Sequence, residues 1–328
     1  MTGVPAVCVI GLGLIGGSVL RAADAAGWQA YGATASAADA EAARSEGFDV
    51  AADVDEALRR ASSDDALLVI AVPLTALDTV LRQVARFAPH CGLTDVISVK
   101  GPVAAGIEAR LPEAPYVGGH PMTGSSVSGW AGGSAELFQG APWLLVTEDD
   151  TDRAHWLRTA RLALACGAEV VAASAREHDA AVARISHLPH VLAAVLASVG
   201  SGGGGLAMSL AAGSFFDGTR VAGSRPALVQ AMCEGNRDEL LAAIDDALGR
   251  LGVARGSLAT TGSLAATINH GHLSRTQWIE SKTLPTGEFQ VQFLDPDAPA
   301  ELRALGEAGG RVRTVHGDVL RGVLPRRD

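Results

Sequence analysis

Val7-Cys8-Val9-Ile10-Gly11-Leu12-Gly13-Leu14-Ile15-Gly16 is the stretch on which the fold turns. Four apolar residues run into glycines spaced GxGxxG, and 17–26 continue as a helix-compatible segment. In that strand–turn–helix context each glycine has a physical task. Gly11 permits the tight turn, Gly13 lets the backbone approach a pyrophosphate, and Gly16 lets the helix pack closely on the strand. The phosphates would rest against the helix N-terminus, where unpaired amides and the helix dipole favour anions. Gly11, Leu12, Gly13, Leu14, Ile15 and Gly16 are therefore predicted to bind a dinucleotide.

Outward from this turn, β-like runs at 7–10, 29–33, 67–72, 93–99, 116–119, 143–146 and 169–172 alternate with helical segments. Unbroken apolar runs of this kind suit a sheet covered on both faces, which predicts an α/β, doubly wound parallel sheet over 1–173. After Ser174 the texture becomes helical, with candidates at 180–199, 225–251 and 255–272, and Gly202–Gly205 ends the first of them. The domain 174–284 is thus expected to be all-helical. From 285 to 328 the chain turns β-like again, with a run at 288–294, a short helix near 299–308 and a hairpin-like 311–323. That stretch is too short for an independent domain and reads as a β-rich C-terminal appendage.

The adenine side of a dinucleotide is normally read by an acidic residue after the second strand, about 20 residues beyond the glycines. Thr34 stands there instead, and the first arginine beyond it is Arg44. Without the carboxylate a 2′-phosphate meets no repulsion, and without an adjacent arginine it gains no partner. NAD is the expected cofactor by a modest margin, with NADP meeting no electrostatic barrier. Ala71-Val72-Pro73 ends a buried run on the same sheet edge, which suits contacts from Val72 and Pro73 to the cofactor and equally suits an ordinary strand stopped by proline.

Composition excludes several classes. The 328 residues favour more than one domain, and the 48% hydrophobic and 19% charged content is that of a globular protein rather than a disordered or fibrous one. A net charge of -10 without a basic run argues against nucleic acid. Cys8, Cys91, Cys166 and Cys233 are scattered, which fits a reducing compartment. No apolar run is judged long enough to span a bilayer, so a cytoplasmic protein without membrane contact is expected. Only Lys100 and Lys282 are lysines, so anion recognition must lean on arginine. The Ala- and Leu-rich segments 188–199 and 240–251 offer more apolar surface than one small domain buries, which predicts a homodimer.

Two further strand ends carry candidate chemistry. Asp95-Val96-Ile97-Ser98-Val99-Lys100-Gly101 and Tyr116-Val117-Gly118-Gly119-His120-Pro121-Met122-Thr123-Gly124 both finish on the ligand-binding edge. A histidine followed by proline at a glycine-rich strand end suits a site better than a core, which singles out His120. With Glu177-His178-Asp179, Ser186-His187-Leu188-Pro189-His190 and Gly213-Ser214-Phe215-Phe216-Asp217-Gly218-Thr219-Arg220, these segments resemble the prephenate dehydrogenase family over about 7–282.

The resemblance implies a Rossmann domain followed by a helical substrate domain that pairs two subunits. It implies oxidative decarboxylation of prephenate, or of arogenate, in tyrosine biosynthesis. His120 would accept the proton of the C4 hydroxyl, and Ser98 would orient that histidine and touch both hydroxyl and cofactor. Arg220 would hold the ring carboxylate, with Asp217 directing it, and His190 would contact substrate or cofactor. Ser125 lies where relatives meet the substrate side chain, although a plain turn residue fits as well. His187 and His178 are left as structural. The His187–His190 spacing lacks a third ligand, so no metal is expected. The tail beyond 285 lies outside the resemblance. A β-hydroxyacid dehydrogenase would share only the glycine turn, and a non-catalytic nucleotide sensor would not need Ser98, His120 and Arg220 together.

Overall fold

β1 (Ala6–Ile10), buried along its whole length, is flanked by parallel partners on both sides. In the computed structural model, which describes residues 4–124 and 127–326, it joins β2 (Gln29–Ala33), β3 (Leu67–Ile70), β4 (Leu93–Asp95) and β5 (Tyr116–Val117) in the order β2-β1-β3-β4-β5. Side chains alternate across this sheet. Val7, Val9, Leu67 and Val69 enter one core, while Cys8, Ile10, Leu68 and Ile70 enter the other. Two covered faces explain why the strands read as unbroken apolar runs.

The seven predicted strands do not share one sheet. β6 (Gly119–Pro121) runs antiparallel to β7 (Pro142–Val146), which pairs in parallel with β8 (Glu169–Ala173). The change of sheet falls at Gly118, where a β-carbon would sit 2.9 Å from Cγ2 of Val146. β4 also stops short of the predicted 93–99, because the Asp95 carboxylate accepts from the Ile97 amide at 2.8 Å and turns the chain out of the ladder.

The segment expected as an appendage completes the second sheet. β9 (Thr286–Gln292), β10 (Arg311–His316) and β11 (Val319–Pro325) extend it to β6-β7-β8-β10-β11-β9. Val312 on β10 pairs with Val170 on β8, and Phe293 meets Trp156 with ring centroids 4.4 Å apart. Val291, Phe293, Leu302 and Leu320 are buried in the same core as Trp143 and Val170. Arg153 clamps the segment by donating to the carbonyls of Phe293 at 3.1 Å and Pro296 at 3.0 Å.

The chain divides into two units. The first holds the described residues up to His178 together with Glu288–Leu324, and the second holds Asp179–Gly287 and the residues after Leu324. Helical conformation begins in the last residues of the first unit and continues into the second, from Ala175–Val182 through a π turn, Ala183–His187, into Leu188–Gly202. Pro189 accounts for the irregularity: it has no amide to donate and its ring crowds the carbonyl four residues back, which a wider turn relieves. The predicted helix 225–251 is interrupted at Asn236, and the predicted 255–272 is cut at Gly262, whose φ of 68° is left-handed. The observed elements are Pro226–Gly235, Arg237–Thr261 and Ala265–Ser281.

The helix Ala175–Gly202 is long and apolar enough, by length and composition, to cross a membrane. Its apolar side chains are largely uncovered, with Val195, Leu196 and Val199 exposed, and the same holds for Leu248, Leu251 and Leu258 on Arg237–Thr261.

Candidate active site

The glycine turn has the geometry its spacing predicts. Gly11 adopts a φ of 102°, and a β-carbon there would lie 2.5 Å from the Ala71 carbonyl oxygen. A β-carbon on Gly16 would fall 1.9 Å from the carbonyl oxygen of Gly11, so helix and turn touch through bare backbone. Gly13 faces open space instead, with nothing within 4 Å of the position a β-carbon would take. The helix Leu14–Ala25 starts with no side-chain cap and no acidic residue in its first turn, and its leading amides remain available to an anion. Leu12 is buried beneath the turn, and Leu14 and Ile15 open the helix. The order of strands reverses between β1 and β3, which is where such sheets open a crevice for a ligand. These residues fit a dinucleotide's pyrophosphate.

Val72 reaches the same turn, its Cγ1 lying 3.0 Å from the β-carbon position of Gly11, whereas Pro73 is exposed. Thr34 follows β2, and its hydroxyl accepts from the Ser36 amide at 3.3 Å. Arg44 donates to the carbonyls of Val50 at 3.1 Å and Ala51 at 2.7 Å. Its guanidinium thus holds a neighbouring loop.

At the next two strand ends, a buried polar cluster joins Ser98 to His120 through the backbone. Asp95 and Lys100, 0% and 1% exposed, form an ion pair on either side of Ser98 in sequence, and Ser98 lies in the bend between them. Lys100 Nζ also donates to the Gly119 carbonyl at 2.6 Å, and Asp95 Oδ2 accepts from the Gly119 amide at 3.3 Å and from the Tyr116 hydroxyl at 2.7 Å. One carboxylate and one ammonium therefore fix both the Ser98 bend and the residue before His120. Nothing in the local sequence pattern assigned Asp95, Lys100 or Tyr116 a task. The signal was present in composition: one of only two lysines sits at a buried strand end.

His120 itself is half-buried on β6, opposite Leu144 of β7. Its Nδ1 lies 2.8 Å from Nε2 of His178, a residue 2% exposed.

In the second unit His190 and Arg220 are neighbours. Burial holds the His190 imidazole below its ordinary pKa, opposed by a hydrogen bond to the Val221 backbone, and the Arg220 charge pushes the same way as burial. Its Nδ1 is buried without a hydrogen-bond partner among the described residues. Arg220 is exposed, and the expected Asp217–Arg220 ion pair does not form among the described residues. His187 is fully buried, 3.1 Å from Asn236 Nδ2, which also donates to the Asp179 carbonyl at 2.7 Å. That arrangement ties helices together. Ser125 lies outside the described residues. No group of three side chains able to hold a metal occurs among the described residues.

Comparison with known proteins matches residues 20–172 to the prephenate dehydrogenase nucleotide-binding domain and 174–258 to the prephenate dehydrogenase dimerization domain. The chain belongs to the prephenate dehydrogenase family. It is similar to a cyclohexadienyl dehydrogenase of Zymomonas mobilis, 32% identical over 77% of this chain and 88% of that protein. A crystal structure of a candidate prephenate dehydrogenase from Corynebacterium glutamicum matches at 42% identity with a TM-score of 0.87, over 94% of this chain and 98% of that one. Coverage that wide takes in much of the C-terminal stretch beyond the family models. The fold is shared with prephenate dehydrogenase from Aquifex aeolicus, solved with hydroxyphenyl propionate and NAD+, at 20% identity, a TM-score of 0.73 and coverage of 84% and 98%.

Proposed function

We infer that the chain oxidatively decarboxylates prephenate to 4-hydroxyphenylpyruvate with NAD+, in tyrosine biosynthesis. The observation that carries this reading is the buried Asp95–Lys100 pair, which ties the Ser98 bend, just past the end of β4 in the nucleotide-binding sheet, to Gly119, the residue before His120 on β6. A bound nicotinamide supplies the acceptor for the hydride that leaves C4 of the substrate ring. Gly13 and the first amides of Leu14–Ala25 bind the pyrophosphate, and Thr34 offers one hydroxyl to the adenine ribose. His120 takes the proton of the C4 hydroxyl as a general base. Ser98 orients the hydroxyl. Arg220 holds the ring carboxylate until the carbon–carbon bond breaks and carbon dioxide leaves. The electron pair of that bond makes the ring aromatic, and the proton on His120 returns to the phenolic oxygen, so the exchange of atoms and charge closes.

Neutral His190 beside Arg220 leaves that guanidinium as the local positive charge for an anionic substrate. The exposed apolar helices of the second unit, inside a match to a dimerization domain, support a homodimer. Four free thiols suit a reducing cytoplasm. The reading is tested by mixing purified protein with prephenate or arogenate and with NAD+ or NADP+, and following reduced-nicotinamide absorbance. Prephenate with NAD+ should turn over fastest. Turnover with arogenate alone would move the substrate to the amino analogue, and silence in all four mixtures would overturn the reading.

A further inference from the structure

We propose that His178 is a positioning residue for the acid–base chemistry: its Nε2 accepts the Nδ1–H of His120 and so keeps Nε2 of His120 free to take a proton. The proposal rests on the reading of His120 as the base. Two imidazole nitrogens 2.8 Å apart share one proton, since two lone pairs or two protons would repel at that distance. If His178 were the donor, the neutral His120 ring would carry its own proton on Nε2. That nitrogen would then have no lone pair for the substrate hydroxyl. Only donation from His120 to His178 leaves His120 competent, and which ring nitrogen carries the proton is set by the bond the other one makes.

Both rings are held for this contact. The rings meet edge to face at 76° with centroids 5.0 Å apart. His120 is fixed by its register opposite Leu144 and by the Gly119 ties to Asp95 and Lys100. His178 stands in the first turn of Ala175–Val182, and that turn begins with a reciprocal cap. Ser174 Oγ accepts from the Glu177 amide at 3.1 Å, and Glu177 Oε2 accepts from the Ser174 amide at 2.7 Å. Glu148 adds a bond from the Ala175 amide at 2.9 Å, and the His178 amide donates to the Ser174 carbonyl at 3.0 Å. The helix start is thus locked where it delivers the imidazole.

The bond also changes strength during turnover. When His120 takes the substrate proton its ring becomes a cation, and a hydrogen bond from a charged donor is stronger than one from a neutral donor. An interaction that strengthens as charge develops accelerates the step rather than merely tightening the ground state.

The test combines a spectrum with kinetics. In protein labelled with 15N-histidine, the wild type should show His120 protonated at Nδ1 and bare at Nε2, assigned by loss of the signals in His120→Asn. In His178→Phe, protonation at Nε2 should become populated, and kcat should fall about 10-fold or more while the substrate KM stays within about 2-fold. His178→Gln, which returns an acceptor near the lost Nε2, should recover turnover to within a few-fold of wild type. A wild-type His120 protonated at Nε2, or a folded His178→Phe with unchanged kcat while His120→Asn is inactive, would overturn the proposal. Normal turnover in both variants would instead remove His120 as the base. Should His178→Phe fail to fold, the wild-type spectrum decides alone.

Discussion

Asp95, Lys100 and Gly119 in the first unit satisfy one another inside a buried cluster, whereas Arg220 in the second is exposed without an ion-pair partner among the described residues. The apolar side chains differ in the same way. Val7, Leu68, Trp143 and Phe293 are enclosed by their own unit, while Val199, Leu251 and Leu258 face outward. The first unit therefore arranges its polar groups through its own fold, at the desolvation cost that a buried ion pair carries. The second leaves both a cation and an apolar surface exposed, and on the proposed reading an anionic ligand meets the one and a second copy covers the other.

Each side of that contrast can be broken. Lys100→Met strands Asp95 as a buried charge and should destabilise the first unit by about 3–5 kcal/mol in chemical unfolding. Arg184→Ala, which opens the exposed pair with Asp246, should leave the unfolding midpoint nearly unchanged. Equal effects would erase the distinction between the units. His120→Asn should keep the fold and lower kcat by about 10²-fold or more, read from reduced-nicotinamide formation. Arg220→Ala should raise the substrate KM by about 10-fold with a smaller change in kcat, because it removes a charge-assisted contact. Unchanged affinity would detach Arg220 from the carboxylate.

The smallest effect concerns pH. His155 is buried, with Nε2 2.7 Å from the Leu93 carbonyl oxygen, and burial holds its pKa below the ordinary 6.5. The unfolded chain binds this proton as pH falls through about 6.5, and the native state resists it. The stability is thus present above that pH and lost as pH drops toward the native value. Melting curves from pH 8 to 5.5 should slope downward, and His155→Gln should flatten part of that slope.

Local chemistry decided how much could be read from the sequence. The glycine turn and β1 are short contiguous patterns and appear where the pattern placed them, whereas Ser98 falls in a bend past the end of β4 and His120 inside β6 of the second sheet. The second sheet was illegible because it depends on Val312 finding Val170 across 142 positions, and the hairpin that does so resembles a free-standing one. His178 escaped for a similar reason. Its neighbours Glu177 and Asp179 mark a helix start, while its partner is 58 residues away. Asp217 shows the opposite failure, since proximity in sequence to Arg220 suggested a pair that does not form among the described residues.

The claim that the second unit is completed by another copy of the chain is tested most directly by sedimentation at micromolar concentration. The account predicts a species of twice the 33.4 kDa chain mass that persists on dilution through that range. A particle of single-chain mass under those conditions would contradict it, because Val199, Leu251 and Leu258 would then remain uncovered in the working protein.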